Sequence, residues 1–538
     1  MKLNDKELLD KEQWEKAGIN LFEFDRQKMC SHTKEEPVWI HFGAGNIFRA
    51  FPAALQQRLL NEGLASQGII AVDGYDSEII ELMYRTHDNL NLLVTLKSNG
   101  SIEKTVIGSI AESLILDSKI ETEYSRLKEI FRSRSLQMVS LTITEKGYSL
   151  VNANGEFLPV VMDDFEKGPN SPDSYIGKLT ALCYERYLSG AFPIALVSMD
   201  NCSHNGSKLY DAVHAFTVKW IENGLVDVGF KDYIENSDKV SFPWSMIDKI
   251  TPRPDDSVKK MLAEVGFEDS EGIVTSKNTY VSPFVNAEEA QYLVIEDKFP
   301  NGRPALDKAG VIFTDRETVD KVEKMKVCTC LNPLHTALAV FGCLLGYTKI
   351  SDEMKDKELV ELVKTIGYKE GLPVVVNPGI ISPKAFIDEV LNVRIPNPFM
   401  PDTPQRIACD TSQKIPIRFG ETIKSYMASE TLDVKELKFI PLVLAGWCRY
   451  LMGVDDEGNR FDVSPDPMYD VLKEKISGIE LGQKGPFHDI LYPILSDKKI
   501  FAVDLYEAGL GDVVETHFTE LVAGPGAVRA TLKMLLAE

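Results

Sequence analysis

The sequence lacks the marks of several large classes of protein. Over 538 residues no apolar run reaches the roughly 18 residues that a membrane-spanning helix needs, so no membrane span is expected. The N-terminal MKLNDKELLDKEQWEKAG has charge and helical periodicity but lacks the apolar stretch and small-residue cleavage site of a secretory leader, which points to the cytoplasm. Positive charge is short. With 59 Lys and Arg against 81 Asp and Glu, the formal charge is −22, and no nucleic-acid partner is expected, because duplex affinity rests on Lys and Arg neutralising phosphates. A few cations gathered in one cleft can still receive an anionic small molecule. The eight cysteines are scattered without a dense framework, as suits reduced thiols in a reducing compartment. Cys328 and Cys330 form C-x-C with no second pair and no His-x-His nearby, so they read as small buried residues and no metal site is expected. Internal repeats and low-complexity tracts are also lacking.

What is present reads as an ordinary globular chain, 44% hydrophobic and 26% charged, and too long for one core. From Val38 strand and helix patterns alternate: VWIHF, FRAFPAALQQRLLNEG with Gly63 at the C-cap, GIIAVD, SEIIELMYRTH. That order predicts a βαβ unit and a parallel sheet, and LNLLVTLK, LQMVSLTIT and PIALVSMD are expected to join it. Helices are expected at KIETEYSRLKEIFRSR and SYIGKLTALCYERYLSG. Past about residue 285 the pattern turns to long helices such as PLHTALAVFGCLLG and ELKFIPLVLAGWCRYLMG, with few strands. The expected hinge is the polar stretch Ser282 to Glu289.

VWIHFGAGNIFRA supplies the three parts of a dinucleotide site: a strand, a tight glycine turn whose backbone can approach a pyrophosphate, and a helix start. Gly43 and Gly45 fill the first two glycine positions, and Phe48 stands where the usual fingerprint has its third. The next strand ends in Asp73, placed either to accept from an adenosine ribose and repel a 2′-phosphate, favouring NAD over NADP, or to cap the turn at Gly74.

Six stretches in order, GAGNIFRA, LTITEKGY, SMDNCSHNG, MIDKITP, VIEDKFPNGRP and KVCTCLNPLH, resemble the mannitol dehydrogenase family of polyol-specific long-chain dehydrogenases, over about residue 36 to past 415. The resemblance implies an α/β Rossmann-type N-terminal domain at 1–285, its dinucleotide core at about 36–205, and a mostly α-helical substrate domain at 286–538. It also implies a metal-independent enzyme using NAD, with Gly43, Gly45, Asn46, Phe48, Arg49 and Asp73 at the cofactor. Its general base is a lysine five residues before an asparagine that itself precedes a histidine by three. Asn332 and His335 keep that spacing, but Lys326 lies one residue too far, and Val327 holds the strict position.

The offset has a geometric meaning. At about 100° per residue, nine positions put Lys326 and His335 on opposite sides of a regular helix, whereas eight leave them within about 80°. Asn332-Pro333 reads as N-cap and N1 of a helix, so the segment VCTCL is expected to bulge, run extended, or form a π-bulge that absorbs the extra residue. Lys326 is then the base that takes the hydroxyl proton, which requires a lowered pKa. By family position Asn201 and Asn332 are neutral donors to the carbonyl oxygen, His335 and Asp248 bond or orient substrate groups, and Arg406 and Lys414 of RIPNPFMPDTPQRIACDTSQK contact the substrate. Lys249 stands where the family commonly has arginine. The expected reaction interconverts a ketose-type carbonyl and its secondary alcohol on a sugar acid of the fructuronate/mannonate type. The alternatives are mannitol and fructose, or a catalytically impaired NAD-binding scaffold.

Overall fold

The computed structural model describes residues 1–254 and 256–537. The chain forms two compact units, Met1–Leu96 with Ser101–Asp320, and Lys97–Gly100 with Lys321–Glu538.

The first unit is built on a six-stranded sheet, parallel throughout. Its strands are β1 (Trp39–Phe42), β2 (Ile69–Asp73), β3 (Ile110–Ile115), β4 (Met138–Leu141), β5 (Ile194–Ser198) and β6 (Val240–Ser241). They lie in the spatial order 3-2-1-4-5-6. In such a sheet the ligand crevice opens beyond the carboxyl ends of the strands where the order reverses, here between β1 and β4. Alternate residues serve two cores. Trp39, Ile69 and Ala71 pack with α1 (Asn46–Ala50) and α2 (Pro52–Asn61). Ile40, Phe42, Ile70 and Val72 pack with α3 (Glu121–Arg132), α4 (Tyr175–Leu188) and α5 (Asn205–Glu222). Burial on both faces explains why these strands read as apolar runs without alternation. Gly63, at φ +68°, follows α2 as its left-handed terminator.

Three expectations about this unit are corrected. The segment LNLLVTLK does form a strand, Asn91–Leu96, but in a separate four-stranded sheet, paired antiparallel with Ile102–Ile107 and parallel with Phe284–Glu288. The expected hinge is that last strand, buried at every position. Its polar residues hid it: Glu288 is buried because its carboxylate accepts from the Ile250 amide at 2.7 Å. The strands Phe284–Glu288, Tyr292–Glu296 and Ile312–Thr314 all pair with strands of the first unit or one another, so the units divide at Asp320 and not near 285.

The second unit is helical. Among the described residues no strand follows Thr314, and one isolated bridge, Val454 with Arg460, is formed there. The run Arg316–Leu344 comprises α6 (Arg316–Met325), a π-helical turn at Lys326–Cys330, and α7 (Asn332–Leu344). By length and composition it could cross a membrane, but 72% of its apolar window is buried inside the protein, as in a core helix. A second apolar helix, α8 (Phe439–Tyr450), is buried at every position. Further π turns lie at Ile366–Gly371, Val390–Arg394 and Pro416–Gly420.

Candidate active site

The glycine turn follows β1 directly. Gly43 has φ +109°, and a Cβ there would stand 2.5 Å from the Thr142 carbonyl oxygen, so the chain can pass β4 at this point only as glycine. A Cβ on Gly45 would meet nothing within 4 Å, which leaves that side of the turn open to a ligand. Gly43 donates to the Val72 carbonyl at 2.8 Å, and Tyr84 Oη donates to the Ala44 carbonyl at 2.9 Å. The residues therefore fit a dinucleotide whose phosphates need close approach to backbone amides.

Phe48 and Arg49 shape this turn from beneath. Phe48 is wholly buried and stacks on His41, centroids 4.1 Å apart, so its side chain cannot touch a cofactor as expected from the resemblance. His41 sits between Ser140 Oγ at 2.6 Å and Thr142 Oγ1 at 2.8 Å, and burial lowers its pKa to about 3, keeping it neutral. Arg49 is buried and donates to the Ser282 carbonyl and to Asn46 Oδ1, both at 2.7 Å, which makes it a brace for Asn46 rather than a direct ligand. Asp73 does the work of a cap: its carboxylate accepts from the amides of Ala44, Tyr75 and Asp76 at 3.2, 2.9 and 2.7 Å. Burial raises its pKa, and the three amides oppose that rise.

An open cavity of about 620 Å³ lies at the carboxyl ends of β4 and β5, lined by Ile47, Thr142 to Glu145, and Met199 to Ser203. Asn205 fixes the loop after β5 by donating to the carbonyls of Ser198, Asp200 and Ser245. Asp200 accepts from Tyr148 Oη and from the Cys202 amide. Asn201 is carried on that pinned loop, exposed to the cavity, with no hydrogen-bond partner among the described residues. Lys249 also lines the cavity, its ammonium donating to the Glu288 carbonyl at 2.8 Å and to Gln291 Oε1 at 2.9 Å. Asp248, the last residue of the strand Ser245–Asp248, is buried.

In the second unit Lys326 opens the π turn. The Leu331 amide donates to the Lys326 carbonyl at 3.1 Å, an i→i+5 bond that winds one extra residue into a single turn. Nine positions are thereby wound about as eight would be in a regular helix, which brings Lys326 and His335 back to within about 80°. Thr329 on this turn packs on Gly371, where a Cβ would stand 2.8 Å from Thr329 Cγ2. α7 starts one residue earlier than the sequence suggests: Leu331 is its N-cap, and Asn332 makes no capping bond. The Asn332 side-chain amide has no hydrogen-bond partner among the described residues.

His335, on the first turn of α7, faces a group of cations. Burial lowers its pKa to about 3, and Arg418, Arg406, Arg394 and Lys414 reinforce the shift in that order, so the ring is neutral. Its Nε2 stands 3.5 Å from Asp402 Oδ2, and Asp402 also pairs with Arg406. Lys414 donates to the carbonyls of Ile407 and Cys409; its pKa is lowered by burial first, then by Arg418. Sequence reasoning misses Arg394 and Arg418. Arg418 lies four residues beyond Lys414, a helical spacing that places both on one face and is the signal that could have found it. No three His, Cys, Asp or Glu side chains gather as a metal-ligand set among the described residues.

Two family models match the chain, the mannitol dehydrogenase Rossmann domain over residues 38–308 and the mannitol dehydrogenase C-terminal domain over 318–522. A D-mannonate oxidoreductase of Thermotoga maritima is 53% identical over 99% of this chain and 98% of its own length. Among solved structures, the Pseudomonas fluorescens mannitol 2-dehydrogenase ternary complex with NAD and D-mannitol aligns over 100% of both chains, with a TM-score of 0.68 and 28% identity. A substrate-free D-sorbitol dehydrogenase shares the fold, with a TM-score of 0.78 at 24% identity over 96% of this chain and 98% of that one. This chain belongs to the mannitol dehydrogenase family of oxidoreductases.

Proposed function

We propose that the protein is an NAD-dependent reductase and dehydrogenase of a sugar acid, interconverting a ketose-type carbonyl and a secondary alcohol in the manner of fructuronate and mannonate. The observation that carries this reading is the set of four cations, Arg394, Arg406, Lys414 and Arg418, acting on His335 in a chain of net charge −22. A neutral polyol needs hydrogen-bond donors but no charge, whereas a carboxylate needs a cationic receiver. The 53% identity to a D-mannonate oxidoreductase supports the same class.

In this reading Lys326 takes the hydroxyl proton during oxidation and returns it during reduction. Asn201 and Asn332 offer neutral amide donors to the oxygen on which negative charge develops. The neutral His335 ring can bond a substrate hydroxyl without competing for the reacting proton, and Asp248 orients a neighbouring group. NAD supplies or accepts the hydride. Asp73 supports NAD over NADP, because a buried carboxylate beside the glycine turn opposes a 2′-phosphate. The scatter of the eight cysteines without a dense framework suits a reducing, cytoplasmic setting.

The test is a panel with NADH against fructuronate, tagaturonate and fructose. Turnover is expected on a hexuronate and at least about tenfold less on fructose. A preference for fructose overturns the sugar-acid reading, and NADH binding without turnover on any of the three overturns the enzyme reading.

A further inference from the structure

Two fully buried arginines, Arg186 and Arg449, show how a guanidinium can be held when its role is structural, while a third, Arg49, leaves its Nε without a partner among the described residues. Arg186 spends all three nitrogens on main-chain carbonyls, Nε on Phe192, Nη1 on Phe131 and Ser133, Nη2 on Leu136 and Pro193. Arg449 does the same with the carbonyls of Leu521, Val454 and Asp455. Such saturation is what removing a guanidinium from water requires.

Arg418 is different. Its Nη1 donates to Thr336 Oγ1 at 2.6 Å and reaches the Asn332 carbonyl at 3.5 Å, which fixes the side chain against the first turn of α7. Nε and Nη2, the edge that can grip a carboxylate with two parallel bonds, have no partner among the described residues, and no carboxylate lies within ion-pair distance of the guanidinium there. Arg418 is partly buried, its unpartnered nitrogens keep access to solvent, and burial lowers its pKa to about 10. Lys414 beside it is bonded to carbonyls, with Asp410 opposing the fall in its pKa, and Asp402 is engaged by Arg406 and His335. Asp402 is therefore committed elsewhere, and Asp410 makes no ion pair with Arg418 among the described residues. The residues that Arg418 touches, Asn332 and Thr336, bracket His335 on one helix face.

We propose that Arg418 is the specificity-determining anchor for the substrate carboxylate, received in a side-on, two-bond grip by Nε and Nη2. This rests on the sugar-acid reading above. Thr336 holds the guanidinium in orientation.

The experiment uses the full-length enzyme with NADH and compares Arg418→Met and Arg418→Lys with the wild type. KM for fructuronate should rise about a hundredfold in Arg418→Met and about tenfold in Arg418→Lys, while NADH affinity and KM for fructose stay within threefold. Thermal unfolding with and without mannonate gives a readout independent of turnover: the ligand should raise the Tm of the wild type and not that of Arg418→Met. A fructuronate KM within threefold of wild type in Arg418→Met, or an equal loss on fructose, overturns the assignment. Either result with wild-type turnover on fructuronate intact leaves the sugar-acid reading standing, whereas a wild type that prefers fructose removes both.

Discussion

Asp73 in the first unit and Glu353 in the second are both buried carboxylates, at 6% and 0% exposure, yet they are treated in opposite ways. Asp73 receives three backbone amides and braces a functional turn. Glu353 lies against Gly342 of α7, where a Cβ would stand 2.1 Å from its Oε1, and neither of its oxygens has a hydrogen-bond partner among the described residues. Burial pushes its pKa up from 4.5 to about 9, so it is held as a neutral acid at neutral pH. The first unit thus fixes its site with backbone geometry that only certain residues satisfy, and the second fixes its own with side chains set on wide helical turns.

That contrast can be broken, most strongly at Lys326. Lys326→Ala should lower kcat about a hundred- to ten-thousandfold while NADH affinity holds, as the proposed role of general base requires. Equal kcat in both forms, read by stopped-flow and NADH fluorescence, removes Lys326 from the chemistry.

Next in size is Glu353→Gln, which titrates nothing. The folded wild type keeps its proton where the unfolded chain has released it, so the contribution of Glu353 is full below about pH 4.5 and is lost as pH rises towards about 9. The stability advantage of Glu353→Gln, read from denaturant unfolding, should therefore widen across that window, reaching about 3 kcal/mol by pH 7. A gap that stays constant with pH would show that the acid is not held neutral.

Gly43→Ala tests the first unit. A Cβ 2.5 Å from a carbonyl, at φ +109°, should cost about 1–3 kcal/mol and weaken NADH binding by about five- to a hundredfold, measured by titration. Binding unchanged by the substitution would mean that the turn relaxes freely.

The smallest effect sharpens the contrast. Deleting Val327 should convert the π turn to a regular one and leave Lys326 with the same angular relation to His335, so kcat should stay within about tenfold. Inserting an alanine after Cys328 should cost at least about a hundredfold. Reversed outcomes would mean that the wide turn itself, and not the register it preserves, matters.

The elements that sequence patterns reveal are those whose backbone period shows in side-chain polarity. VWIHF, GIIAVD and PIALVSMD are buried on both faces and read as continuous apolar runs, and the glycines of the turn announce themselves by lacking Cβ atoms. Sheet membership is not local, so Asn91–Leu96 reads as a strand but not as part of a second sheet. Phe284–Glu288 is obscured because Asn286 and Glu288 are buried polar residues inside a strand. At the candidate site the one-residue offset of Lys326 requires an irregular helix, and a π turn is present there. What spacing could not reveal is charge balance: that Arg418 has two nitrogens without a partner among the described residues depends on Asp402 being engaged by Arg406 and His335.

The wide turn at Lys326–Cys330 also bears on how lineages of such enzymes drift. A single added codon in a helix ordinarily rotates everything beyond it, and selection removes it. Here one wide turn takes up the extra residue of the Lys326–Asn332 interval and keeps the helical phase on either side. A sequence filter demanding a fixed interval between lysine and asparagine would discard this chain, and homologues set aside on that ground are better judged by helical phase than by residue count.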